Sequence, residues 1–484
     1  MDGNIKGGNV METLYEKSAP QKMGTRLRPL TVPEEPFPFV FKRKTPLILP
    51  CVSEPELIAY FAECAKNTTG IIDLFPLGSC TMKHNPKQNL RYQLLSGFAD
   101  IHPLLPEEAI QGALEVHTRL LNMLLALTGF DGGTLEPPAG ASSEFGSCLM
   151  IKKYFREHGE PERTKVLMPD VAHGTNPASA AMAGFEVVSL KTENGDIDLA
   201  ELEKALDTTT ACFMITYPST LGIPESHLKE ICAMVHKVGA FVYMDGANMN
   251  ALIGRWRPGD NGIDLMHMNL HKTFATPHGG GGPGAGFIGC TDTLESYLPL
   301  PVVTEKAGVY EFDFNRPHSI GKLHAFRGNF GIDVQAYAYL RSNGHDIHLV
   351  SDTTNANAGY AKKLLLDLGF TIIGAERALH EFVLDLRPIL ERTGVTLEDF
   401  SKRILDFGFH SPTMGFPVHT GLLIEVPESA TRESIARLVN VLKTIRDECF
   451  KEPNVVKTAP HRTSVGRIDN ARGDRELVQW SKTP

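Results

Sequence analysis

The chain has 484 residues, 42% of them hydrophobic and 22% charged, with a formal net charge of −9. That size suits about three domains, or one large enzyme domain with appendages, and the composition is ordinary for a globular protein. The negative balance speaks against nucleic acid or an anionic membrane as partner, because both need basic patches. No stretch approaches 18 apolar residues, and the opening MDGNIKGGNVMETLYEK lacks the apolar centre of a secretory signal. The eight cysteines form no C-x-x-C pair and read as reduced thiols of a cytoplasmic protein.

Residues 1–50 are rich in Pro, Gly and charge, with RPLTVPEEPFPF in the middle, and read as an extended arm. Ser53-Glu-Pro-Glu56 is a capping box that opens a helix to about Lys66. The small and polar residues of PLGSCTMKHNP, Pro76 to Pro86, predict a loop. A leucine-rich helical pattern runs from Glu107 to about Leu127. The stretch from Pro137 to Phe145 then feeds a helix to about Tyr154. Such a helix start offers free N–H groups and the positive end of the dipole, so Gly140, Ala141, Ser142 and Ser143 are candidate phosphate contacts.

Strands are expected at Lys165–Met168, Phe185–Leu190 and Cys212–Thr216, separated by a helix start near Pro177 and a helix from Asp196 to Leu206. A helix from His227 to Lys237, with Gly239 as its stop signal, leads into the apolar run Ala240–Met244. This alternation implies a parallel sheet with right-handed crossovers. A further β-prone run spans Asp264 to Leu270. Asp245 follows the first of these two runs and Lys272 the second.

Carboxyl ends of parallel strands are where ligands bind in open α/β sheets. Taken singly, such an Asp is a turn former and such a Lys a solvated side chain. Together, beside the glycine run Gly279–Gly282, they suit pyridoxal 5'-phosphate: Lys272 as the Schiff-base lysine, Asp245 as the carboxylate that keeps the ring nitrogen protonated. Gly279-x-Gly281-x-x-Gly284 matches the dinucleotide fingerprint literally, but Pro283 and Gly-Ala-Gly open no helix. His267-x-x-x-His271 has metal spacing only for a helix, and this run reads as strand, so no metal is expected.

Beyond Gly289 the pattern weakens until a helix start near Gly328, with helical spacing through Leu349, a break at Asn343-Gly344, and helix again from Ala356 to Leu368. A smaller α/β domain opens at Thr371-Ile-Ile373, with strands at Glu381–Asp385 and Gly421–Val426. Its helices are expected at Thr396–Phe407 and Thr431–Phe450. The expected domains are thus an arm at 1–50, a large domain at 51–345 and a small one at 346–484.

NLHKTF with PHGGGGPG, DGANMNA, PLGSCTMK-x-NP, GFADIHPLLP and HGTNPASA together resemble the glycine decarboxylase family, the P-protein of the glycine cleavage system. The family usually has Gly where Ser143 stands, and its tyrosine-containing stretch is altered at Met414–Pro417. The resemblance implies a fold type I pyridoxal-phosphate architecture and carries a ring-stacking role to His173, with Thr175 as its neighbour. It implies decarboxylation of glycine with transfer of the aminomethyl group to the lipoyl arm of the H-protein. His271, next to the lysine, is a candidate proton shuttle because an ordinary imidazole pKa suits that task, with a bystander role as the equal alternative. The chain resembles the lysine-bearing subunit 2, to be completed by subunit 1 in a hetero-oligomer with two copies of each. Rival readings are another fold type I enzyme, such as an aminotransferase, decarboxylase or desulfurase, or a non-catalytic partner subunit.

Overall fold

A computed structural model describes residues 12–22, 29, 31–33, 44, 49–67, 74–193, 195–278, 284–324, 326–463 and 466–476. The glycine run 279–282 with Pro283, and most of the proline-rich arm, lie outside the described residues. The chain divides into two compact units, one made of Met1–Gly70 with Ala459–Pro484 and the other of Ile71–Thr458. In the first, the helix Glu54–Asn67 starts at Ser53, whose N–H and hydroxyl both donate to Glu56 Oε2, at 2.9 and 2.7 Å. That is half of the expected capping box, with the acid reaching back to the cap.

The second unit is built on a seven-stranded sheet. Its strands in chain order are β1 (Gly132–Thr134), β2 (Lys165–Pro169), β3 (Glu186–Leu190), β4 (Thr210–Thr216), β5 (Phe241–Asp245), β6 (Leu265–Asn269) and β7 (Gly286–Cys290). They lie in the order β1-β7-β6-β5-β4-β2-β3. The run from β3 to β6 is parallel, and β7 is antiparallel to both β6 and β1. Strands β4 to β7 are buried along their whole length. Continuous apolar runs such as Phe241–Met244 are what a sheet covered on both faces requires. One core, with Leu167, Phe213, Val242, Met266 and Phe287, fills one side of the sheet; a second, with Met150, Ile151, Phe155, Met214 and Tyr243, fills the other.

Three elements differ from expectation. Strand β7 was hidden by its glycines, yet they are what the packing needs. A Cβ on Gly286 would sit 2.3 Å from Ser143 Oγ and 2.7 Å from Ala139 O, so only glycine lets the helix Gly140–Glu157 start this close to the sheet. A hairpin, Val302–Lys306 with Val309–Asp313, occupies a stretch whose partly exposed strands carry no clear alternation. The long helix His348–Asp367 runs without a break where a gap was expected between Leu349 and Ala356, and it follows directly on a short 3₁₀ turn at Gly344–Ile347.

The C-terminal part of this unit holds a four-stranded sheet formed by β8 (Thr371–Ile373), β9 (Glu381–Asp385), β10 (Thr413–Met414) and β11 (Gly421–Glu425), in the order β8-β9-β11-β10 and antiparallel throughout. Helices Leu397–Leu405 and Arg432–Lys451, both opened by threonine capping boxes, pack on it. The loop that follows Leu74 joins this sheet: Gly78 N–H donates to Leu423 O at 3.2 Å, and Leu77 bridges Ile424. Val350 belongs to the core of the large sheet and Ala358 to that of the small one, so we read the domain boundary as falling within helix His348–Asp367.

Candidate active site

Strands β4, β5 and β6 end on one cavity of about 210 Å³, walled by Ser79, Gly140, His173, Asp245, Asn248 and Lys272 among others. Asp245 closes β5 and is 2% exposed. Its Oδ1 accepts the Ala247 N–H at 2.9 Å and its Oδ2 the Asn176 Nδ2 at 3.1 Å. Burial works against the charged carboxyl, but His267, the Ala247 N–H, Lys272 and Asn176 more than offset it and hold Asp245 below the usual carboxylate range. An ionised carboxylate with acceptor capacity to spare therefore faces the cavity floor.

His267 stands directly opposite Asp245 on β6. Burial pushes its pKa down and keeps the ring neutral. The contacts suit one tautomer: Tyr243 hydroxyl donates to Nδ1 at 2.6 Å, and Nε2 donates to Asn269 Oδ1 at 3.0 Å with Asp245 Oδ1 at 3.4 Å. Glu144, one turn into the helix Gly140–Glu157, accepts from Thr175 Oγ1 at 3.0 Å and Ser179 Oγ at 3.1 Å. Burial, with Asp245 nearby, raises its carboxyl to about 8, so it is a neutral acid at physiological pH.

Strand β6 stops at Asn269, and the chain turns into the short helix Leu270–Thr273 that carries Lys272. The Lys272 ammonium donates to Ser79 O at 3.1 Å. His173 lies between β2 and the helix Thr175–Met182, half-buried, with Nδ1 2.9 Å from Thr175 Oγ1. Gly140 and Ala141 line the cavity at the helix start.

Ser142 and Ser143 do not line it. Ser143 Oγ donates to Ala139 O at 3.0 Å and packs against Gly286, because the helix has already turned that side chain towards β7. The pKa expected for His271 is also corrected. Burial, then His278 and Lys272, push it down to about 4, so the ring is a neutral acceptor for Ala285 N–H at 3.2 Å. His267 and His271 meet the same side-chain amide: Asn269 Oδ1 accepts from His267 Nε2 at 3.0 Å, and Asn269 Nδ2 lies 3.4 Å from His271 Nε2. Sequence reasoning passed over Asn176, Asn248, Asn269 and Glu144 as site residues, and it weighed His267 only as a metal ligand.

The residues fit pyridoxal phosphate. A Cβ on Gly140 would lie 2.3 Å from Asn269 Nδ2, so the glycine opens room where the helix start meets the strand end. An anion placed there meets free N–H groups and the helix dipole, while Asp245 lies on the cavity floor and Lys272 on its wall.

A model of the class-V aminotransferases matches residues 146–287 and one of the glycine dehydrogenase C-terminal domain matches 352–461. The fold is similar to an inhibitor-bound glycine decarboxylase (P-protein) of the glycine cleavage system. The TM-score there is 0.71 at 20% identity, over 84% of this chain and 92% of that one. It is also similar to a sphingosine-1-phosphate lyase of Burkholderia pseudomallei, with a TM-score of 0.65 at 13% identity, over 86% and 95%. Fold and site together define a pyridoxal-phosphate-dependent enzyme of fold type I.

Two relatives are each named "probable glycine dehydrogenase (decarboxylating) subunit 2". The one from Pyrococcus furiosus is 44% identical over 96% of this chain and 95% of its own length, and the one from Treponema denticola 44% over 97% and 98%. The chain belongs to the glycine dehydrogenase (decarboxylating) subunit 2 family. No described helix is long and apolar enough to cross a membrane.

Proposed function

We propose that this chain binds pyridoxal phosphate on Lys272 and uses it to decarboxylate glycine, handing the remaining aminomethyl group to a lipoylated carrier. The observation that carries the reading is the placement of Asp245 and Lys272 on one cavity, in a chain of this family. Bound pyridoxal phosphate supplies an electron sink that lets the glycine carboxylate leave as CO₂.

The chain's own residues do the rest. Asp245 keeps a negative charge against the ring nitrogen, and His267 holds that carboxylate in place from the next strand. Gly140 and Ala141 direct their N–H groups to the phosphate. His173 covers one face of the ring, oriented by Thr175. The Lys272 amine, when not bonded to the cofactor, rests on Ser79 O. His271, held neutral, lines the cavity with Nδ1 accepting the Ala285 N–H.

The family name supports a subunit 1 as partner. In our reading a lipoylated H-protein receives the aminomethyl group on one sulfur of its disulfide while the other sulfur leaves as a thiol. We place the assembly, two copies of each subunit, in the cytoplasm, where the eight unpaired cysteines would stay reduced. Replacing Lys272 by Ala tests the reading: glycine-dependent CO₂ release and the visible absorbance of the cofactor should both vanish. Retention of either activity or colour at wild-type level would end it.

A further inference from the structure

The small sheet aims two glutamates at the rear of Lys272. Glu381 on β9 and Glu425 on β11 are register partners on antiparallel strands, so their side chains share one face. Both are buried, and their carboxylate oxygens lie within 4.8 Å of one another and of a His380 ring nitrogen. Glu381 Oε2 accepts the Ser79 N–H at 2.6 Å, and its Oε1 accepts Asn248 Nδ2 at 3.2 Å. Glu425 Oε1 accepts the Thr81 hydroxyl, whereas its Oε2 has no hydrogen-bond partner among the described residues.

Ser79 is the link to the cavity. Its φ of +61° lies in the left-handed region that side chains avoid, so the surroundings must hold it. The Glu381 carboxylate takes its N–H, and its carbonyl is thereby turned onto the Lys272 ammonium. The charged and titratable groups facing the pair are Lys272, Lys83, Cys80, His380 and Glu428. Burial, then Glu425, drives the Glu381 carboxyl up, and burial raises Glu425 to about 7. Burial and Lys272 leave His380 neutral.

Resting on the reading of Lys272 as the cofactor lysine, we propose that Glu381 and Glu425 act as one electrostatically coupled carboxyl pair that is not fully ionised, and that the pair positions Lys272 through the Ser79 peptide. Two carboxylates this close in a buried site cannot both ionise. Glu381, Glu425 and His380 could also be read as a cation site.

The experiment uses the cofactor-free full chain. Labelling of Lys272 by trinitrobenzenesulfonate, read by mass spectrometry at pH 8, should rise roughly threefold or more in Glu381→Gln, which weakens the clamp on the Ser79 N–H. Should that variant not fold, Glu381→Asp, too short to reach the Ser79 N–H, carries the same test. Glu425→Gln keeps the clamp; its labelling should change less than twofold, while the infrared difference from wild type at pH 6 should show one protonated carboxyl lost. Unchanged labelling in the Glu381 variant, no lost carboxyl in the Glu425 variant, or a stoichiometric divalent metal in the purified protein would each overturn the proposal. None of these readouts needs bound cofactor, so they stand or fall separately from the activity of Lys272.

Discussion

Asp245 and His267 face each other across strands β5 and β6, with Oδ1 3.4 Å from Nε2. The neutral imidazole fixes the carboxylate without neutralising it, which is the state a protonated pyridine ring requires of its partner. Replacing Asp245 by Asn keeps the shape and removes the charge. Turnover should fall by about 100-fold or more, as for loss of a preorganised charge at a reacting centre, while cofactor binding survives in part. Glycine-dependent CO₂ exchange measured beside cofactor absorbance checks this; wild-type turnover would remove Asp245 from its role.

Lys83 ties the Lys272 segment to the small sheet's side of the cavity. Its buried ammonium donates to Thr273 O at 2.5 Å, Asn250 Oδ1 at 2.8 Å and Glu428 Oε1 at 2.7 Å. Burial pulls its pKa down against the pull of Glu428. Lys83→Met leaves Glu428, largely buried, without its cation, and should cost about 3 kcal/mol of stability. Urea unfolding checks this, and the double variant Lys83→Met/Glu428→Gln should recover part of the loss.

Buried groups shape the pH dependence of the cofactor-free protein. Burial lowers His117 and His271 to about 4 from an ordinary 6.5, so the unfolded chain binds more protons between those values and stability rises with pH across them. Burial raises Glu136 and Glu144 to about 8 from an ordinary 4.5, so the folded chain binds more protons there and stability falls as pH rises. Above pH 6.5 only the acids still act. The melting temperature should decline from pH 6.5 to 8; a flat or rising curve would show that these carboxyls are ionised when folded.

The parallel strands and both cavity residues were legible because each strand is an apolar run that stops at a polar group. The expected Ala240–Met244 and Asp264–Leu270 differ from β5 and β6 by one residue at each end. Strand β7 was not legible, since its glycines answer to the helix packed against them rather than to any strand preference. Ser142 and Ser143 were chosen by composition, and composition does not say which way a helix's first turn points. His267 was open to discovery: a histidine inside a fully buried strand needs polar partners, and the aspartate one strand away supplies them. Glu381 and Glu425 open one strand and close the other, and only the antiparallel register makes those two positions meet.

The central claim is that Lys272 is the amine that holds the cofactor. Borohydride reduction of the pyridoxal-phosphate-loaded protein, followed by peptide mass spectrometry, tests it most directly. One phosphopyridoxyl group per chain, on Lys272, is the expected result. The same group on Lys83 or on any other lysine, or no adduct in a fully loaded protein, would contradict it.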